Sequence, residues 1–200
     1  MPNFFSSLWL GLTIWSLLYV SDYAFTIVCA RLYRSGVNEK IVFEGSFELN
    51  PVFQRDIDSL RLISPRFLLM LLITGLLLTL MWLLDQQSAP QFYEFVLGCM
   101  ILLELAIHVR HMRNLFMFRM FVKSDCVRGR IEYSRPLILK MSSYELFIFS
   151  GLFLMLFVFT PSWFLLGGVS SCCLTAIKHR ALARRASSKP ITAGQPQTAL

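Results

Sequence analysis

Glu104, His108 and His111 stand at i, i+4 and i+7, a spacing that places all three within about 60° of one helix face. Asn114 carries that face one turn further. Asp22, Thr26 and Cys29 repeat the spacing in an earlier apolar segment, and Tyr33 continues the stripe. Carboxylates and imidazoles so arranged suit three kinds of chemistry. They could hold a divalent metal such as Zn²⁺, with His108, His111, Glu104 and Asp22 as candidate ligands. They could relay protons, since histidine titrates near neutral pH and a buried acid holds its proton more tightly. Or they could line a site for an ion, a polar solute or a lipid headgroup. A zinc-protease helix would show His-Glu-x-x-His, whereas His108 and His111 are three apart with no glutamate between them. The same side chains could also do no more than hydrogen-bond helices together, at about 0.6 kcal/mol per pair in a membrane.

A second group lies in a loop, Glu48-Leu49-Asn50-Pro51. Asn at an N-cap followed by Pro at the first helical position predicts a helix start, opening an amphipathic stretch from Val52 to about Leu62. Glu48 and Glu104 are the candidate general bases if the site is catalytic. Just upstream, Ile41 to Leu49 reads as two short strands around Gly45, and Cys126 to Tyr133 alternates like a further strand.

The elements that must position these groups are membrane spans. The chain is 56% hydrophobic and only 16% charged, against about 25% charged in an ordinary soluble domain. About 20 helical residues cross a bilayer core of roughly 30 Å. The apolar runs predict spans over about 8–30, 67–84, 92–113, 144–160 and 163–177, with inner loops 31–66 and 114–143, the helical pattern of the third span continuing through His111 to Phe121, and a basic, then disordered, tail over 181–200. Thr160-Pro161-Ser162 marks a tight outer turn between the last two spans. The alternative is four spans with one long kinked last helix. The 19 Lys and Arg residues favour five, because they fall only in Arg31 to Arg66, Arg110 to Lys140 and Lys178 to Lys189. Five spans with the N-terminus outside put every one of them on the cytoplasmic side, as the positive-inside rule requires. The expected fold is an all-α integral membrane bundle with a small cytoplasmic β and loop cap, residues 1–180 forming one transmembrane domain.

A net charge of +7 in this context points to anionic lipid headgroups at the cytoplasmic face, not to nucleic acid. None of the five cysteines falls on the outer side in this topology, so structural disulfides are not expected. No Walker loop, dinucleotide fingerprint, nucleophile elbow or Cys-x-x-Cys pair is present.

The combination of Asp22 and Thr26 in a first span, Gly36, and Glu48-x-Asn50-Pro51 before a second span resembles small prokaryotic multi-pass membrane proteins with an Asp near the start and a Glu-x-Asn-Pro loop. The resemblance covers about the first third of the chain and implies no reaction, since those proteins have no settled activity. It links Asp22, Glu48 and Asn50 as a group. The chain departs from the compact pattern by the hairpin-like insertion Glu39 to Phe47 and by its additional spans.

The functional expectation is a multi-pass inner-membrane protein whose Asp22, Glu104 and His108 seam handles ions, protons or a small solute. It would work alone, as a homo-oligomer or as a subunit of a membrane complex. The competing expectations are an intramembrane metal-dependent hydrolase and a structural or assembly protein without chemistry.

Overall fold

The computed structural model describes residues 7–45, 50, 52–87, 91–123 and 128–187, with the backbone alone for 85–87. Five long helices dominate: α1 (Leu8–Leu32), α4 (Pro65–Gln87), α5 (Phe92–Lys123), α6 (Arg135–Phe159) and α7 (Trp163–Ser187). The rest is a helical turn α2 (Asn38–Lys40), a short helix α3 (Gln54–Asp58) and two strands, β1 (Ile41–Phe43) and β2 (Ile131–Tyr133). Four helices, those containing α1, α4, α5 and α6, are long and apolar enough to cross a membrane. Leucines on α4 such as Leu69, Leu72 and Leu76 are exposed, as on a surface that meets hydrocarbon.

α7 matches α6 in length but is less apolar, and its composition explains why. Gly98 on α5 meets the backbone of Phe164, Gly167 meets that of Phe95 and Cys99, and Gly168 meets the Leu102 side chain. A Cβ at Gly98 or Gly167 would fall well inside van der Waals contact with a backbone carbonyl oxygen, so only glycine allows this approach. Small residues that permit close packing carry little apolar surface. The core beside them joins Leu102, Ala106, Leu146, Phe153, Cys172 and Ala176.

Contacts along the helices set their directions. On α1 and α5, Gly11 lies by Tyr93 and Ser21 by His108, so these helices are parallel. Tyr19 stacks on Phe67 while Trp15 clusters with Leu78, so α4 is antiparallel to α1. Ser150 donates to the Val169 carbonyl and Ser143 to that of Ala176, so α6 and α7 form an antiparallel hairpin through Thr160–Ser162 instead of one kinked helix. Glu94 secures the turn end, accepting from Ser162 Oγ at 2.7 Å and from the Phe164 amide at 3.3 Å.

At the opposite end, α1 passes into a π-helical turn, Tyr33–Val37, where Gly36 adopts φ 135°. That conformation strains any residue with a Cβ, and it ends the helix so that Val37 and Ile41 fold onto Leu115 and Phe118 of α5. β1 then pairs in parallel with β2, Ile41 opposite Ile131 and Phe43 opposite Tyr133. The expected hairpin within Ile41 to Leu49 is thus corrected for its first strand, which pairs with the distant strand of the second inner loop. Phe43 stacks on Tyr133 at a centroid distance of 5.7 Å, so the partner is chosen by ring packing that a local turn does not supply. Glu44 at the strand end accepts from the Arg135 amide at 2.8 Å and caps α6.

Several expected boundaries also shift. α5 runs to Lys123, two residues past the expected end of its helical pattern at Phe121, and α6 starts at Arg135, so helix occupies much of the expected loop 114–143. Ser134 precedes Arg135-Pro136, and proline in the first turn starts the helix nine residues earlier than the apolar run does. α7 continues to Ser187 into the expected tail 181–200, Ala183 being fully buried. Only Gln54–Asp58 of the expected stretch Val52 to Leu62 is helical. Ser64 ends it by capping α4, accepting from the Phe67 amide and donating to the buried Asp56 carboxylate at 2.6 Å.

Candidate functional site at the inner half of the bundle

α5 is the spine of the site. Its Glu104, His108 and His111 lie on the side turned to α1, one helical turn apart, as the i, i+4, i+7 spacing dictates. Because α1 runs parallel to α5, Ser21 and Asp22 reach the same level. One ligand atom each from Asp22, Glu104 and His108 lies within 4.8 Å of the other two. Bonds of about 2.0–2.2 Å hold the ligands of a tetrahedral zinc about 3.4 Å apart. Side-chain shifts of about an ångström would therefore bring the three to bonding distance.

The histidine is already set for such a role. His108 Nδ1 lies 2.7 Å from the Glu104 carbonyl oxygen, which can only accept, so the proton is on Nδ1. In the neutral ring this leaves a lone pair on Nε2, the atom that Ser21 Oγ approaches at 2.7 Å. Ser21 Oγ is also 2.9 Å from the Leu18 carbonyl, so its hydroxyl has a second acceptor when Nε2 is engaged. A backbone acceptor on one ring nitrogen is the usual way a ligand histidine is oriented.

The two carboxylates have unmet capacity. Asp22 Oδ1 and Glu104 Oε2 are buried oxygens without a hydrogen-bond partner among the described residues, as is His111 Nδ1. His111 Nε2 lies 3.2 Å from Asp22 Oδ1, within ion-pair range but not aligned as a hydrogen bond. Buried polar atoms are nearly always satisfied, so three orphans in one place leave capacity that water, a shared proton or a cation can fill. Two ionised carboxylates this close repel, and a divalent cation between them removes the repulsion.

Above this cluster opens a cleft of about 540 Å³, floored by Tyr19, Asp22 and Glu104 and roofed by Phe43, Asn50 and Tyr133 of the cap. Arg110, Arg113 and Asn114 of α5 line it together with Ser142 and Glu145 of α6 and Lys178 and His179 of α7. Arg113 pairs with Glu145. Arg110 donates to the Ser142 hydroxyl at 2.5 Å, and Ser142 in turn lies 2.9 Å from His179 Nδ1. Burial, and after it the charges of Arg110 and Lys178, push the His179 pKa down to about 4. The ring is therefore neutral near pH 7, with Ser142 donating to Nδ1 and the proton on Nε2.

The structure thus brings Asp22, Glu104, His108 and His111 together. Thr26 lies nearby but turns inward, its hydroxyl donating to the Asp22 carbonyl at 3.0 Å. Asn114 lines the cleft and accepts from Arg113. Cys29 is fully buried against His111, its thiol 3.9 Å from that carbonyl oxygen. Asn50 stands at the cleft mouth, its side chain accepting from the Val52 amide. Glu48, Pro51 and Cys126 lie outside the described residues. Glu145, expected to start a helix, sits three turns into α6 as the partner of Arg113.

Sequence reasoning missed Ser21, Arg110, Ser142 and His179. Arg110 lies about 120° round the helix from Glu104, off the face that the i, i+4, i+7 spacing marks, so periodicity does not group it with the acids. Nothing along the chain marks Ser142 or His179, which meet only because α6 folds back on α7. Comparison with protein-family models, with curated proteins and with solved structures finds no match to this chain.

Proposed function

We propose that the chain is a five-span integral protein of a prokaryotic inner membrane whose α1 and α5 seam binds a divalent cation drawn from the cytoplasmic side. The observation that carries the proposal is the convergence of Asp22, Glu104 and His108 ligand atoms within 4.8 Å beside unsatisfied carboxylate oxygens. An ionised Asp at a span centre costs about 2.5–3.5 kcal/mol, so two acids facing one another are held either protonated or beside a compensating charge, and a divalent cation supplies the latter.

Orientation follows from the helix directions and the basic residues. α1, α5 and α7 are parallel, which brings Arg31, Arg113 and Lys178 to the end that carries the cap. The positive-inside rule makes that end cytoplasmic. α7 then crosses as the fifth span, shielded by α5 and α6. The cleft opens beneath the cap, so the cation exchanges with the cytoplasm.

A second reading, an intramembrane metal-dependent hydrolase, is favoured by the cleft volume of about 540 Å³, which far exceeds a hydrated cation. In that reading Glu104 or Glu48 is the general base. Metal analysis of the purified protein and titration with Zn²⁺ or Mn²⁺ test the shared premise. About one cation per chain, lost in Asp22→Asn and Glu104→Gln, is the expected result. Wild-type protein that takes up no stoichiometric metal overturns it.

A further inference from the structure

We infer that the cleft holds the phosphate headgroup of a lipid between Arg110 and Lys178, above the cation site, an assignment that rests on the cation reading. Three observations converge on it. The first is the state of the cations around the cleft. Arg113 is neutralised by Glu145, whereas half-buried Arg110, whose charge also reaches Asp22, has only the Ser142 hydroxyl as hydrogen-bond partner, and Lys178 has no carboxylate partner, among the described residues. A guanidinium presents five N–H donors in a planar fork that matches a phosphate, and one hydroxyl uses little of that capacity.

The second is vertical order. Asp22 and Glu104 form the floor and alone would repel an anion. With a divalent cation bound there, one face of a phosphate meets the metal and the other meets Arg110 and Lys178. The third is the shape of the cleft. α1 and α4 pack on α5, α6 packs on α7, and among the described residues neither α1 nor α4 packs extensively on α6 or α7. Apolar Phe67 of α4, Leu103 and Ile107 of α5 and Leu146 of α6 line the cleft, a flank against which acyl chains can lie. A soluble anion needs no such flank, whereas a lipid does.

The test uses the full chain in a neutral detergent with three probes: short-chain phosphatidate, the matching diacylglycerol and inorganic phosphate. Calorimetry gives the affinities, and added Mn²⁺ reports proximity by speeding the relaxation of the ³¹P nucleus. Phosphatidate is expected to bind at least about tenfold more tightly than either other probe, with Arg110→Gln removing about tenfold and Arg110→Lys restoring part of it. Lys178→Gln, at an exposed side chain, should lower affinity by a smaller factor and keeps the test open if the Arg110 variant does not fold. Equal binding of diacylglycerol, or unchanged affinity in both variants, overturns the inference. Inorganic phosphate binding as tightly as phosphatidate overturns the lipid source. Mn²⁺ binding measured without any probe separates the two proposals: metal bound without phosphatidate preference sinks only the headgroup site. Arg110-dependent phosphatidate binding without Mn²⁺ sinks the cation reading and the metal contact, leaving the Arg110 and Lys178 cradle.

Discussion

α5 meets its two neighbours by opposite means. Toward α7 it offers Gly98 and Leu102, and the helices close to backbone contact through Gly167 and Gly168. Toward α1 it offers Leu97 and Ile101 in one half, packed on Trp15, and Glu104, His108 and His111 in the other. Where α6 packs on α7 in the same half of the bundle, Ser143 and Ser150 of α6 are satisfied by carbonyls of α7. Polar atoms on the α1 side of α5 include three buried orphans. A seam needed only to hold helices together would resemble the α7 side, because dispersion and satisfied hydrogen bonds do that work in lipid without burying charge.

The contrast can be broken most forcefully at the glycines. Gly98→Ala or Gly167→Ala should force α5 and α7 apart, costing about 3 kcal/mol or more, read as a large fall in thermal midpoint in detergent. Asp22→Asn and Glu104→Gln should do the reverse: cation affinity falls about a hundredfold, while apo-protein stability changes by no more than about 1 kcal/mol. If the carboxylate variants unfold the bundle as the glycine variants do, the seam is structural and the contrast is void.

Smaller effects sharpen the boundary between the two sides, where Ser142 joins α5 to α7. Ser142→Ala should cost about 1 kcal/mol by leaving Arg110 and His179 without their shared partner, measurable by denaturant titration. The smallest effect is a pH dependence at His179, whose pKa of about 4 in the fold lies below its ordinary 6.5. Between those values the unfolded chain binds the extra proton, so this contribution is complete above about pH 6.5 and declines as the pH falls toward 4. His179→Gln should flatten stability across that window. An unchanged slope would mean that His179 does not titrate in this way.

Much of the site was legible before the fold. Asp22 lies nine residues before Arg31 and Glu104 nine before Arg113, so the basic boundary residues already implied a common depth on two parallel helices. The i, i+4, i+7 spacing gave the face, since helical geometry fixes it from the chain alone. The β pairing was not legible, because β1 and β2 are separated by two long helices and their register depends on Phe43 meeting Tyr133. The end of α5 near Phe121 was legible from its continuing helical pattern, but the start of α6 and the end of α7 were not, because their polar turns continue the helix where hydropathy alone ends the span.

Composition, periodicity and the placement of charge therefore determined that the chain is helical and suited to a membrane, and on which faces its acids and imidazoles lie. Those properties are local, fixed by 3.6 residues per turn and by the cost of charge in hydrocarbon. Which faces meet was decided only in three dimensions. The glycine contacts set α7 beside α5, α1 took the other flank, and Glu104, turned away from the close-packed seam, was left facing Asp22 with oxygens that have no hydrogen-bond partner among the described residues.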